Sequence, residues 1–235
     1  MNRIPALTLT DFYKTDHRRQ FPEGTTLVYS NFTPRGSRVD DVDAVVFFGL
    51  QYFIEEYLQR RFDETFFHLP ASQAVGAYRR RLDHALGAGA VPMDHVEALH
   101  ELGYLPLRIK ALPEGTRVPM QVPTHTIENT DPRFAWLTNF IETMMSAVVW
   151  GPCTSATIAN RYRRVFERWA AQTGAPREFV PWQGHDFSFR GMFGIEAACL
   201  SGAGHLLSFT GTDTIPAIDF LEQYYSADCS RETIG

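Results

Sequence analysis

The sequence is poor in cysteine, and its cysteines follow no pattern that would form cross-links or a metal site. Its 235 residues include three cysteines, Cys153, Cys199 and Cys229, and none belongs to a Cys-x-x-Cys pair. This spacing indicates neither a disulfide framework nor a zinc site. Because an odd number of scattered thiols is typical of a reducing compartment, we expect a cytoplasmic protein.

Long apolar runs and an excess of positive charge are missing as well. No run of about 18 apolar residues occurs, so the sequence predicts no membrane span. Residues 1–10 also lack the layout of a signal peptide. The formal net charge of −5 argues against general binding to nucleic acid or to a membrane surface, since both require a basic footprint. A local arginine cluster could still bind an anionic substrate.

Well-known nucleotide and hydrolase motifs are also absent from the sequence. It contains no P-loop, no Gly-x-Gly-x-x-Gly at the start of a helix and no Gly-x-Ser-x-Gly. The histidines show no metal-ligand spacing, and we assign no metal ligand to any residue. Pattern alone therefore predicts an α/β protein with a candidate anion site.

The part of the sequence before Gly174 mixes helices with short strands. Two strands, Leu107–Ala111 and Gly115–Met120, are predicted to form a pair joined by a proline-containing turn. A helix is predicted to start at Asn129–Pro132, because Thr130 or Asp131 can cap the free amides and proline fits the first helical position. Its apolar face extends to Val149, and Thr154–Gln172 predicts a further long helix.

After Gly174 the pattern changes to alternating strands and helices. The predicted elements are a strand and its approach over Phe179–Phe189, a helix over Glu196–Gly204, a strand over Leu206–Phe209 and a helix over Ile215–Tyr225. This alternation indicates parallel α/β units, in which chemistry takes place at the carboxyl ends of the strands.

The segment His185–Gly191 is the first candidate site at such a strand end. Phe187 could stack on a flat heterocycle, and the guanidinium of Arg190 could bind phosphate or pyrophosphate. These two residues are three apart and would point to opposite faces of an ideal strand, so the strand must end near Ser188. The alternative is a core strand followed by a surface arginine.

The segment Phe209–Thr214 is the second candidate. Asp213 could accept hydrogen bonds from a ligand amide, whereas it would repel a ligand carboxylate. The alternative is that Thr212, Asp213 or Thr214 caps the next helix, which has Pro216 in its first turn.

Two further segments combine polar, aromatic and basic residues. Thr10–Lys14, followed by Asp16 and His17, is either part of a site or an amphipathic helix with an aromatic anchor. Arg35 and Arg38 follow a predicted strand and either contact phosphate or lie in solvent.

Taken together, six segments resemble the nicotinamide phosphoribosyltransferase family and occur in the family's order. They are Thr10–His17, Phe48–Tyr52, Ile127–Pro132, Trp136–Thr143, His185–Gly191 and Gly211–Thr214. The resemblance covers the whole chain but only about half of a family member. It implies a type II phosphoribosyltransferase fold, an α/β barrel flanked by a smaller α+β domain. We therefore expect the α+β domain with dimerisation helices over residues 1–175, and the first strand–helix units of the barrel over residues 176–235.

The resemblance also implies a role for each candidate residue. Phe187 would stack on the nicotinamide ring, Arg190 would bind the phosphate or pyrophosphate, and Asp213 would accept a hydrogen bond from the carboxamide. Arg190 and Asp213 would be the catalytic residues. In a homodimer with shared sites, the second subunit would contribute Tyr13 to the other face of the ring. Asp11 would lie close to that shared site, and Arg35 would reach the phosphate region.

The implied reaction joins nicotinamide to phosphoribosyl pyrophosphate, giving nicotinamide mononucleotide and pyrophosphate in NAD salvage. Mg²⁺ and ATP are expected as cofactor and activating co-substrate. Family members continue with a Ser-Val-Pro…Glu-His-Ser segment whose histidine is phosphorylated by ATP, and this sequence ends at Gly235, before it. We therefore expect these residues to be inactive alone. The alternatives are a nicotinate phosphoribosyltransferase and a non-catalytic truncated paralogue that acts as a dimerisation partner.

Overall fold

A computed structural model describes residues 4–231 of the chain. Within that range the residues form two compact units, the first from residues 4–32, 53–111 and 125–146 and the second from residues 33–52, 112–124 and 147–231. The chain end at Gly235, on which the expected truncation depends, lies outside the described residues. The domain boundary between residues 175 and 176 stays a prediction. None of the helices in the described range is long and apolar enough to cross a membrane.

The regular elements follow one another as short strands and longer helices. The α-helices are α1 (Lys14–Gln20), α2 (Leu50–Tyr52), α3 (Ala71–Leu86), α4 (Asp94–Leu102), α5 (Ala135–Phe140), α6 (Glu142–Thr173), α7 (Val180–Gln183), α8 (Ile195–Leu206) and α9 (Ile215–Tyr225). The strands are β1 (Tyr29–Phe32), β2 (Ala44–Val46), β3 (Leu107–Ala111), β4 (Arg117–Pro119), β5 (His125–Asn129), β6 (His185–Asp186) and β7 (Gly211–Thr212). Two π-helical stretches, Phe53–Arg61 and Asp63–Phe67, follow α2.

An antiparallel sheet in the order β1-β5-β3 forms part of the first unit. The central strand β5 alternates between buried and half-buried residues, and Ile127 lies opposite Ser30 on one side and Ile109 on the other. Such alternation is typical of a strand with one face against a core. The buried aromatic side chains Phe53, Phe62 and Phe66 of the helical stretch belong to the core of the same unit.

The predicted pairing of Leu107–Ala111 with Gly115–Met120 is wrong, because β3 pairs with β5 and β4 pairs with β2. The reason lies in the hydrogen bonds that Gly115 and Thr116 make with Phe47. The amide of Gly115 donates to the carbonyl of Phe47 at 2.8 Å, and the amide of Phe47 donates to Thr116 at 3.0 Å. These bonds connect the segment to the strand before α2.

The predicted helix start at Asn129–Pro132 is confirmed. The side chain of Asp131 accepts a hydrogen bond from the amide of Arg133 at 3.0 Å, and Pro132 begins a 3-10 turn that leads into α5. The prediction of a separate helix from Thr154 is wrong, since α6 runs without interruption through Pro152. A proline costs a helix one hydrogen bond, but the ring of Pro152 packs closely against Gly49, where a Cβ would lie 2.7 Å from its Cγ.

The second unit contains a parallel β–α–β arrangement, as the alternation after Gly174 predicts. β6 and β7 are parallel neighbours, with His185 opposite Gly211 and Asp186 opposite Thr212, and α8 connects them. The predicted strand over Leu206–Phe209 is wrong, because α8 extends through Leu206 and the strand begins at Gly211. Phe209 is buried for a different reason: its ring fills the space at Gly184, where a Cβ would lie 2.6 Å away.

The predicted strand over Phe179–Phe189 is reduced to two residues. Residues Arg177–Phe179 form a 3-10 turn and Val180–Gln183 form α7, so only His185 and Asp186 are extended and paired. After Asp186 the chain enters a second 3-10 turn, Ser188–Arg190. The strand thus ends before Ser188, and Arg190 lies outside it, as the spacing of Phe187 and Arg190 requires.

Candidate functional site

The buried carboxylate of Asp186 connects the two candidate segments of the second unit. Its Oδ1 accepts from the amide of Ser188 at 3.1 Å. Its Oδ2 accepts from the hydroxyls of Ser188, Thr212 and Thr214 at 3.2, 2.8 and 2.6 Å. The main-chain carbonyl of Asp186 accepts from the amide of Asp213 at 2.8 Å. These bonds fix the loops after β6 and β7 against each other.

Two opposing effects act on the ionisation of Asp186. Burial on its own would raise the pKa of this carboxyl group, but the hydrogen bonds from Thr214, Thr212 and Ser188 outweigh it and hold the pKa below its usual value. Asp186 is therefore a charged, fully hydrogen-bonded anchor, and the residue is only 7% exposed. A group of this kind positions its neighbours.

Gly202 in α8 provides the space for this anchor. A Cβ at position 202 would lie 3.0 Å from Oδ2 of Asp186 and 2.8 Å from the Cβ of Ala217 in α9. Contacts this short are repulsive, so a larger residue would displace the helix or the carboxylate. The small residues of α8 thus allow both the close approach of α9 and the position of the Asp186 side chain.

The anchored loops present three predicted site residues to solvent. Phe187, directly after β6, is 65% exposed, although an aromatic side chain of this size is usually buried. Arg190 at the end of the 3-10 turn and Asp213 directly after β7 are also exposed. The prediction that these side chains occur at the carboxyl ends of neighbouring parallel strands agrees with their positions in the fold.

Asp213 is in contact with a histidine from the other loop. The Nε2 atom of His185 lies 2.9 Å from Oδ1 of Asp213, and the ring of His185 lies against that of Phe187 with centroids 4.9 Å apart. His185 and Phe187 are two residues apart and share a side, whereas Asp186 between them points into the interior. The alternation of side chains along the strand, which places His185 on the same side as Phe187, was the signal in the sequence that could have assigned a role to His185.

The alternative interpretation of Asp213 as a helix cap does not fit its contacts. The N-cap position of α9 is Thr214, whose side chain makes no capping hydrogen bond and donates to Asp186 instead. The hydroxyl of Thr212 accepts from the amide of Thr214 at 2.9 Å, as in a Ser/Thr turn. The side chain of Asp213 is therefore available for a role other than capping.

The segment Thr10–Lys14 is held by the end of α5 and the start of α6 within the first unit. The hydroxyl of Thr10 donates to the carbonyl of Phe140 at 2.9 Å, and Asp11 accepts from the hydroxyl of Thr143 at 2.7 Å. The ammonium group of Lys14 is paired with Glu142. Two of the six segments that carry the family resemblance are thus joined, and Tyr13 between these contacts is 57% exposed.

Arg35 belongs to the second unit and is exposed in the loop after β1. The carbonyl of the preceding Pro34 accepts from the amide of Gln121 at 2.8 Å, so the base of this loop is fixed. Arg38 in the same loop is exposed too. Both arginines are accessible to an anion, which leaves the two interpretations of this segment open.

A cavity of about 460 Å³ lies next to His185 and Asp186 within the second unit. Its other walls come from α6, including Ile158 and Tyr162, from Ser201 and His205 of α8, and from Phe209. Phe187 and Asp213 are not among its lining residues. The predicted base site is therefore the open surface formed by the two loops and is distinct from this cavity.

No group of three His, Cys, Asp or Glu side chains that could hold a metal ion occurs within residues 4–231.

Known proteins with similar sequences identify the family of this chain. Residues 6–63 match the family model described as nicotinamide phosphoribosyltransferase, N-terminal domain. A nicotinamide phosphoribosyltransferase of Acinetobacter baylyi is 56% identical over 230 residues, which are 96% of this chain and 46% of that protein. The chain belongs to the nicotinamide phosphoribosyltransferase family.

Further relatives in the family are more distant. Nicotinamide phosphoribosyltransferases of Xanthomonas campestris and Mycoplasma genitalium are 33% and 29% identical, over 92% and 90% of this chain and 44% and 50% of their own lengths. The chain spans about half the length of the curated relatives it matches.

A solved structure supports the fold assignment. The crystal structure of human nicotinic acid phosphoribosyltransferase superposes with a TM-score of 0.62, at 18% identity, over 90% of this chain and 37% of that one. At this identity the likeness concerns the fold alone. The chain accordingly has the fold of the first part of a type II phosphoribosyltransferase, as the resemblance implies.

Proposed function

We propose that the native protein is a nicotinamide phosphoribosyltransferase, a pentosyltransferase that forms nicotinamide mononucleotide and pyrophosphate from nicotinamide and phosphoribosyl pyrophosphate. The observation that carries this proposal is the exposed group of Phe187, Arg190 and Asp213 on two loops held together by Asp186. An exposed ring, a guanidinium and a carboxylate are the groups that a pyridine carboxamide and a pyrophosphate require. The similar proteins support the same activity.

In the proposed reaction the ring nitrogen of nicotinamide attacks C1 of the ribose, and pyrophosphate leaves. Phe187 stacks on the pyridine ring and orients it, while Asp213 accepts a hydrogen bond from the carboxamide N–H₂. The charge that develops on the pyrophosphate is stabilised by Arg190. These residues supply orientation and electrostatic stabilisation. Mg²⁺ and activation by ATP remain predictions from the family resemblance.

We further propose that the protein is a homodimer with shared sites, in which Tyr13 and Asp11 of one subunit serve the base site of the other and Arg35 serves its phosphate region. Support comes from the exposed ring of Tyr13, which is held in place by the contacts of its neighbours with Phe140, Glu142 and Thr143. A cytoplasmic location is proposed from the unpaired cysteines.

The choice between nicotinamide and nicotinate provides the decisive experiment. A carboxylate at Asp213 attracts an amide and repels the negative charge of nicotinate, so Asp213→Ser in the native protein should narrow the preference for nicotinamide. We expect the ratio of the two kcat/KM values to fall by about tenfold or more, since one charge-assisted hydrogen bond is removed. Asp219→Ser, a substitution of another carboxylate in α9, is the matched control and should leave the ratio unchanged.

Each alternative function gives its own result in this experiment. A wild-type protein that prefers nicotinate would favour a nicotinate phosphoribosyltransferase. An unchanged ratio in Asp213→Ser would contradict the role of Asp213 in selecting the amide. A native protein that releases no pyrophosphate from phosphoribosyl pyrophosphate with either base would favour the non-catalytic dimerisation partner.

A further inference from the structure

His185 connects two residues to which the proposed function assigns different tasks. Its Nε2 atom lies 2.9 Å from Oδ1 of Asp213, and its ring centroid lies 4.9 Å from that of Phe187. Asp213 would bind the carboxamide, and Phe187 would stack on the ring. One side chain thus contacts both groups that would define the position of the base.

The contact with Asp213 matters because this carboxylate is accessible to water. The side chain of Asp213 is 59% exposed and that of His185 is 36% exposed. The side chain of a solvated aspartate rotates about its bonds. If such a bond is already fixed before the ligand binds, the entropic cost of binding is lower. When Nε2 of His185 carries a proton, it donates to Oδ1 and holds the carboxylate plane, so that Oδ2 can accept from a ligand amide.

The position of His185 is itself determined by the fold. Its main chain is part of β6, opposite Gly211 of β7, and the next residue is the buried anchor Asp186. The backbone of Asp213 is fixed by its amide, which donates to the carbonyl of Asp186. Both ends of the His185–Asp213 hydrogen bond therefore start from fixed backbone positions, and the bond locks the exposed carboxylate in one orientation.

We propose that His185 is a positioning residue that determines specificity for the carboxamide by holding Asp213 in the orientation that accepts from it. The inference rests on the proposed function and goes further, because it assigns the preference to a pair of residues and not to Asp213 alone. Loss of the donor affects binding of the base and leaves binding of phosphoribosyl pyrophosphate unaffected. The defect therefore appears in the KM for nicotinamide.

Three substitutions in the native protein separate the hydrogen bond from the ring contact. His185→Phe keeps a ring against Phe187 and removes the donor, whereas His185→Gln loses the ring and keeps an N–H group at the position of Nε2. His185→Asn keeps polarity but places its amide at the position of Nδ1, too short to reach Asp213, and replaces His185→Phe if that variant does not fold.

We expect His185→Phe to raise the KM for nicotinamide about tenfold, the effect of one hydrogen bond to a charged group. The KM for phosphoribosyl pyrophosphate should stay within about twofold, and His185→Gln should recover most of the affinity for nicotinamide. In an Asp213→Ser background, His185→Phe should have no further effect on this KM, because residues that act through one another are not additive.

The inference is overturned if the wild type is active and His185→Phe keeps the wild-type KM for nicotinamide. It is also overturned if His185→Phe and His185→Gln raise the KM for nicotinamide by the same factor. The same holds if the effects of His185→Phe and Asp213→Ser on this KM are additive. A wild type without transferase activity would instead contradict the proposed function, so the two failures are distinguishable.

Discussion

Lys14 and Glu142 form an ion pair in which only one partner is buried. The side chain of Lys14 is 2% exposed and that of Glu142 is 47% exposed. The ammonium group also lies 5.1 Å from the centroid of the Tyr13 ring, the proposed contribution of this unit to a partner's site. Removal of Glu142 therefore leaves a buried charge, whereas removal of Lys14 leaves a charge that is partly exposed to water.

Removal of the carboxylate should cost more stability than removal of the ammonium group. Glu142→Ala leaves a charged Lys14 buried without its partner, which costs about 3 kcal/mol. Lys14→Met leaves a carboxylate that water can solvate, and the apolar chain fills the same space, so we expect a cost of about 1 kcal/mol or less. Urea unfolding of both variants measures the difference.

Glu97→Ala is the matched control for this comparison. Glu97 pairs with Arg79 at 2.7 Å, and both side chains are about half exposed, at 54% and 49%. An exposed pair of this kind contributes between about 0 and 1 kcal/mol. Equal costs for Glu142→Ala and Lys14→Met would contradict the burial argument.

Gly49 is predicted to be irreplaceable because two constraints coincide there. Its φ is +101°, and a Cβ would lie 2.7 Å from Cγ of Pro152. Gly87 has nearly the same φ, +104°, but a Cβ there would meet nothing within 4 Å. Gly87→Ala should therefore cost about 1 to 3 kcal/mol from backbone strain alone. Gly49→Ala should cost roughly 1 to 3 kcal/mol more, from overpacking.

Thermal or denaturant unfolding of the two alanine variants tests this prediction directly. Because the two glycines have nearly the same φ, the difference between the variants reports mainly the contact with Pro152. If Gly49→Ala and Gly87→Ala were equally stable, the uninterrupted course of α6 through Pro152 would not depend on the packing at Gly49.

The local parts of the fold could be predicted from the sequence, and the non-local parts could not. The cap at Asp131 depends on neighbouring residues only, and α8 and α9 follow from their composition and spacing. The partner of β3 is β5, beyond β4 along the chain, and the choice depends on hydrogen bonds between Gly115 and Phe47. Sequence patterns carry no information about such long-range competition.

The candidate site shows the same division. That Phe187 and Asp213 occur at neighbouring strand ends follows from the rule for parallel α/β units. The role of Asp186 could not be predicted, because a polar residue in a short strand gives no sign that two hydroxyl groups from a distant segment, together with that of Ser188, will satisfy it. The contact of His185 with Asp213 likewise depends on the register of β6 and β7.

His125 makes the first unit sensitive to acid. It is 2% exposed, stacks on Phe32 with ring centroids 5.1 Å apart, and has its Nε2 atom 3.1 Å from Sδ of Met145. Burial lowers the pKa of His125 to about 4. Burial, together with the charge of Arg18, likewise lowers the pKa of His95 to about 4. Both histidines are therefore neutral in the folded protein at neutral pH.

The direction of the pH dependence follows from these values. The unfolded chain binds a proton at each histidine near pH 6.5, while the folded chain resists protonation until about pH 4. Stability is thus fully present above pH 6.5 and falls as the pH falls toward 4, by up to about 1.4 kcal/mol per pH unit for each histidine. Removal of either side chain should reduce this slope.

His125→Leu tests the prediction when urea unfolding is compared at about pH 7 and about pH 4.5, on either side of most of this titration. His125→Leu and the wild type differ in stability already at neutral pH. The quantity to compare is therefore the free energy of unfolding that each protein loses between the two pH values. Carboxylates that titrate in this range contribute equally to both proteins and cancel. We expect the wild type to lose about 2 kcal/mol more than His125→Leu, and the double variant with His95→Leu to lose less again. Parallel pH profiles for wild type and His125→Leu would show that His125 is protonated in the folded protein as readily as in the unfolded chain, contrary to its burial between Phe32 and Met145.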